Sequence, residues 1–189
     1  MKVGYADAIA LARQKLNSMD PAEVCQHTGA RWDGEEYRLL WLGEEKRLAS
    51  GEPAEQVLWL HYLTARGSKV MQGKWIAYRE VPGALFYEPK FVARAVRPIV
   101  KCYGSNPALL HKAGEMLGGE RAKAGNAAIT LPLLPYVPVT YIIWAGDEEM
   151  EAQGNILFDK TAAGWLPAED LVVLASLGAY KLAGLYNAH

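Results

Sequence analysis

Apolar residues change their spacing several times along this chain, and each change marks an element. Near the start, Tyr5, Ala8, Ile9, Ala12 and Leu16 recur at helical intervals, so the spacing predicts a helix over 3–17 that packs by that face. Asp20 and Pro21 supply an N-cap and a proline at the first helical position, which predicts a short second helix ending at Gly29. Between Ala30 and Ser50 the pattern shortens, and "EYRLLWL", Gly43 and "KRLAS" read as a β-hairpin. Pro53 opens a third helix, "PAEQVLWLHYLTARG", which Gly67 is expected to end in a left-handed cap. "KWIAYRE" reads as a strand after it.

Beyond Glu88-Pro89 the pattern is the most amphipathic of the chain. Phe91, Val92, Ala95, Val96, Ile99 and Tyr103 share one face, while Pro98 denies a donor to the carbonyl of Arg94 and predicts a kink or break. Asn106-Pro107 starts another helix, stopped by Gly118-Gly119. The stretches 129–134 and 139–144 are extended, and the second is apolar on both faces, which predicts a central strand. "NILFD" reads as a short strand or turn. A last helix follows Pro167, with acids in its first turn, and is apolar almost all round, so it is expected to be largely buried. Helices and strands alternate irregularly and no Gly-rich turn joins a strand to a helix. The pattern therefore predicts an α+β fold, a single domain over 1–189 with a mainly antiparallel sheet packed against several helices.

Composition sharpens this picture at three points. With 51% hydrophobic residues and six Trp in 189, the chain can offset the entropy of ordering and is expected to be globular. Twenty Lys and Arg against 21 Asp and Glu leave no surplus positive field, which argues against nucleic acid as a partner. The uncharged segment 124–146 is long enough to cross a bilayer, but Pro132, Pro135 and Pro138 would break such a helix, so it is expected to run extended inside the protein, with no membrane association. Cys25 and Cys102 show no metal or redox spacing, and "MKVGYADAIALARQKL" has no uninterrupted apolar run; both fit a cytoplasmic protein.

Three stretches, "LHYLTARGSKVMQGKWIAYREVPG", "FYEPKFVARAVRPIVKCYG" and "GDEEMEAQGNILFDKTAAGWLPAEDL", resemble the family catalogued as domain of unknown function 3786, found chiefly in anaerobic bacteria and archaea. The resemblance covers roughly 57–174, and its most specific element is Asp147-Glu148-Glu149 followed by Leu157-Phe158-Asp159. It implies no established activity. Some relatives carry a cysteine-rich iron–sulfur module and some accompany corrinoid metabolism, which implies service to a cofactor pathway. Two cysteines cannot hold a four-cysteine cluster, so this chain is not expected to transfer electrons alone.

Three groups of residues carry candidate chemistry. His61 shares a helix face with Ala54, Leu58 and Ala65, whose small members leave room for an axial ligand to a tetrapyrrole or corrinoid; the alternative is a core histidine bonded to a carbonyl or Tyr. Trp75, Tyr78, Phe86 and Tyr87 surround Arg79 and Glu80, a mixture suited to a flat or anionic ligand, although Arg79 turned inward would serve a structural ion pair instead. Asp147, Glu148, Glu149, Glu151 and Asp159 offer oxygen to a hard cation, with Asp147, Glu149 and Asp159 the expected ligands, but the run lacks the spacing of an EF-hand. No nucleophile elbow, P-loop or dinucleotide fingerprint is present. The leading expectation is a non-catalytic domain that binds a cofactor or small ligand. The alternatives are a cation-dependent hydrolase using the 147–159 segment and a structural domain that docks a partner protein. Lys90, Arg94, Arg97 and Lys101 form a basic stripe at uniform helical pitch, and the acids of 147–151 are expected to dock on it unless both clusters are solvated.

Overall fold

The computed structural model describes residues 4–186. Helix α1 (Tyr5–Asn17) buries Ala12 and Leu16, as its spacing implies, while Tyr5 stays exposed and residue 3 lies outside the described residues. Helix α2 (Pro21–Thr28) begins where the Asp20 carboxylate accepts the Ala22 N–H. Strands β1 (Arg31–Trp32), β2 (Tyr37–Trp41) and β3 (Glu44–Arg47) form a three-stranded antiparallel sheet. Leu42 and Gly43 join β2 to β3 with φ of 53° and 75°, the left-handed pair that suits a two-residue hairpin loop.

Helix α3 (Pro53–Leu63) stops earlier than its apolar pattern suggests. Gly67 does not end it in a left-handed cap: a Cβ there would collide with the Trp165 ring, so its glycine is needed for close approach. Strand β4 is short (Trp75–Ala77), because Tyr78–Glu80 turns into a 3-10 helix. Helices α4 (Glu88–Phe91) and α5 (Arg97–Tyr103) are joined without a break by a π-helical turn, Val92–Val96, in which Arg97 N–H reaches back to the Val92 carbonyl. The wider turn falls just ahead of Pro98, where the helical donor is missing, and helical residues run uninterrupted from Glu88 to Tyr103.

Helix α6 (Ala108–Met116) leads into β5 (Glu120–Arg121), β6 (Ala127–Leu134), β7 (Val137–Trp144) and β8 (Gln153–Asp159). With β4 they build a five-stranded antiparallel sheet in the order β4-β8-β7-β6-β5, which puts β7 in the middle. The uncharged 124–146 segment is thus a buried hairpin, and among the described residues no helix is long and apolar enough to cross a membrane. A short α7 (Ala162–Trp165) precedes α8 (Ala168–Tyr186), which is buried along most of its length.

The fold is α+β. The sheet turns Ile129, Val139, Tyr141, Ile156 and Phe158 into the core, each contributing about 1.5–3 kcal/mol through burial. Helices cover this face: the Tyr141 hydroxyl donates to the Ala175 carbonyl on α8 (2.9 Å), and Gly114 of α6 lies against Ile129.

Candidate functional site

His61 is on the last turn of α3, where Leu58, Tyr62 and Leu63 face the core and leave the imidazole at the margin. Its Nδ1 lies 2.7 Å from the Asp170 carboxylate, in the first turn of α8 and 109 residues away. The imidazole is 40% exposed and the Asp170 side chain 12%. That hydrogen bond, with Asp170's charge, raises the His61 pKa above the ordinary imidazole value despite partial burial and Lys15, which act against it. Nε2 has no hydrogen-bond partner among the described residues.

A cleft of about 420 Å³ opens beside the ring, lined by Lys15, Thr64, Ala65, Gly164, Trp165 and Pro167. Trp165 is held rigidly. It stacks on Tyr136 (5.4 Å between centroids), tilts against Tyr62 (4.9 Å) and His27 (5.1 Å), and donates its indole N–H to the Ser68 carbonyl (3.0 Å). Of the residues expected to make room for a ligand, Ala65 lines the cleft and Leu58 is buried in the core.

The aromatic segment does not form one pocket. Trp75 is exposed on the sheet and lines a separate cleft with Met71, Pro132 and Pro138. Tyr78 is buried against Phe91 (4.1 Å, 10° between planes); its hydroxyl donates to the Ala168 carbonyl (2.9 Å), and burial pushes it up to about 12. Tyr87 donates to the Glu169 carboxylate (3.2 Å), whose charge raises its pKa. Arg79 points outward and, among the described residues, makes no ion pair. Three of the five expected residues, Tyr78, Tyr87 and His61, therefore grip Ala168, Glu169 and Asp170 in turn and fix the start of α8.

The acids do not gather either. Asp147 accepts the N–H groups of Glu149 (2.9 Å) and Met150 (2.8 Å), closing its own turn, and these bonds lower its pKa. Asp159 is buried at the far end of β8, whose seven residues place it on the order of 20 Å away. Burial opposes its charge, but Thr161, Gln72 and Gly73 donate to it and keep its pKa low. Glu149 is exposed in the turn. Among the described residues no group of three His, Cys, Asp or Glu could hold a metal ion. The expected docking of 147–151 on the basic stripe also fails. No ion pair joins them among the described residues, and the π-helical turn breaks the uniform pitch on which the stripe depends.

Residues 20–181 match the family described as domain of unknown function (DUF3786). The chain belongs to this family. No curated protein and no solved structure matches the chain. The pairing of Asp170 with His61 has no local signature in the sequence: an acid in the first turn of a helix is accounted for by the helix dipole alone, and the two residues stand 109 apart.

Proposed function

We propose that this DUF3786 domain is a non-catalytic small-ligand-binding module whose ligand sits against His61. The observation that carries the reading is the oriented imidazole, with Nδ1 committed to Asp170 and Nε2 unpartnered at a cleft with a fixed aromatic wall. The raised pKa keeps the ring cationic over more of the neutral range, and Lys15 adds a second positive charge. Trp165 offers a flat apolar surface beside them. An anionic ligand with an aromatic or planar part meets all three features. The Thr64 hydroxyl donates to the His61 carbonyl (3.2 Å), so it is not poised as a nucleophile for the ring, which favours binding over catalysis.

One observation supports a second reading. A histidine backed by a carboxylate is the donor arrangement that metals favour, so Nε2 of His61 would supply the axial nitrogen to the tetrapyrrole or corrinoid that the family resemblance implies. Titrations with haem, cobalamin and small aromatic carboxylates or phosphates, followed through the His61 ring resonances and visible absorbance, test both. Anion-induced shifts that vanish in His61→Ala support the first reading, and a visible spectral change that vanishes in the same variant supports the second. No response of His61 to any of them refutes the binding site.

A further inference from the structure

Strand β8 has an edge that the sheet does not use. Ala128 of β6 turns its carbonyl to β5, where it accepts the Ala122 N–H (3.0 Å), so Ala127 and Ile129 turn their backbone groups to β7. Alternation carries this phase across the register: Gln153, Asn155 and Leu157 face β7, while Gly154, Ile156 and Phe158 face the other way. The bond from the Lys160 N–H to the Lys74 carbonyl (2.8 Å) lies in the same phase, on the β4 side. Yet β4 pairs only as far as Ala77, opposite Leu157, before the chain turns off in Tyr78–Glu80. Among the described residues no strand lies beside the outer edge from Gln153 to Ile156. Ile156 is fully buried and its N–H bonds the Asn155 side chain (2.8 Å), which closes that position. The Gly154 N–H and carbonyl have no hydrogen-bond partner among the described residues. An open strand edge is a template for another extended chain.

Helix α5 runs next to this edge. A cleft of about 420 Å³ lies between them, lined by Val96, Arg97, Val100 and Lys101 on the helix side and by Ala152, Gln153 and Gly154 on the strand side. Val96 and Val100 are half-buried and make its apolar side, and a Cβ on Gly154 would meet the Val100 side chain at 2.7 Å. Arg97 and Lys101 stand four residues apart, past the π-helical turn, so they share one side of α5. Both are exposed, and among the described residues neither makes an ion pair. Lys90, by contrast, lies over the Tyr87 ring (5.8 Å to its centroid). The acids Asp147 and Glu151 line a different cleft, with Trp144.

We propose that this groove takes an extended acidic peptide, which adds to the Gly154 edge as a short strand between β8 and α5. Three features select the same occupant. Gly154 offers a donor and an acceptor to a peptide backbone, Val96 and Val100 offer an apolar surface to a side chain turned toward the helix, and Arg97 and Lys101 attract carboxylates on its neighbours. Main-chain bonds along an edge give affinity in such a mode, and the side chains around it give specificity. A free oxyanion would use the two cations but leave the Gly154 carbonyl and the valines idle, and a basic peptide would be repelled. The open edge runs over about three residues, about 10 Å. The contact is therefore small and transient.

NMR titration of the full chain with an end-capped hexapeptide of alternating Val and Glu tests this. The expected result is a shift of the Gly154 and Val100 amides, with slower solvent exchange at the Gly154 N–H, while the His61 ring stays unmoved. That last readout separates this groove from the cleft at His61. The same peptide with Lys in place of Glu should leave Gly154 unmoved. Arg97→Glu with Lys101→Glu, both at exposed positions, should keep the folded spectrum and raise the dissociation constant about tenfold or more. A Gly154 amide indifferent to the acidic peptide overturns the proposal. So does a Lys peptide that binds as well, a charge-reversed variant that binds as tightly, or inorganic phosphate that alone reproduces the full pattern of shifts.

Discussion

The first turn of α8 and the turn at 147–151 are both acidic, and they do opposite things with their carboxylates. Asp147 bonds the N–H groups of residues two and three places on, so its carboxylate serves only the turn that contains it. Asp170 reaches an imidazole from a helix 109 residues earlier, and its neighbours Ala168 and Glu169 receive hydroxyls from Tyr78 and Tyr87. Local satisfaction leaves a carboxylate with nothing further to organise. Satisfaction across the fold ties α3, α8 and the segment after β4 into one unit and aims an imidazole at a cleft.

Changes on the α8 side should therefore cost stability and ligand together, and those in the acidic turn neither. The largest effect is expected from Gly67→Val, which drives a side chain into the Trp165 ring and disturbs the wall of the cleft; a loss of about 1–3 kcal/mol in urea unfolding should accompany weaker ligand binding. Tyr78→Phe leaves the Ala168 carbonyl without its buried donor and should cost about 1–2 kcal/mol by the same assay.

Asp170→Asn should cost less, under about 1 kcal/mol, because the His61 ring is 40% exposed and solvent screens the pair. Its pH dependence is the sharper signature. A His pKa raised in the folded state gives stability that is fully present below the unfolded value, about 6.5, and lost as the pH rises through the folded value. Wild type should shed this contribution above neutral pH, and Asp170→Asn should show little of it in melts across pH 5–9. Smallest of all, Asp147→Asn should leave the melting temperature and the response of His61 to ligand unchanged.

Reading the chain in order found the elements well where periodicity alone decides them. The central place of β7 was legible because 139–144 is apolar on both faces, and the buried α8 because polar residues are scarce around it. Gly67 is ambiguous in the sequence because a glycine after a helix fits a left-handed cap as well as close packing, and only the position of Trp165, 98 residues on, separates the two. The basic stripe holds only at uniform pitch, which a π-helical turn ahead of Pro98 does not keep. At the site, the small neighbours of His61 are visible in the sequence, but its contact with Asp170 is not, since that depends on how α3 meets α8. The aromatic segment suggested one pocket because its residues are close in sequence. Strand alternation and the 3-10 turn send Trp75 outward and Tyr78 into the core.

The imidazole oriented by Asp170, with its pKa raised by that contact, is the claim on which the binding site depends, and NMR titration of the His61 ring in wild type and Asp170→Asn tests it most directly. The expected result is a wild-type pKa above about 6.5 that falls toward that value in the variant, with the Nδ1–H tautomer favoured in wild type at high pH. A His61 pKa at or below the ordinary value, or one unmoved by Asp170→Asn, would contradict the site.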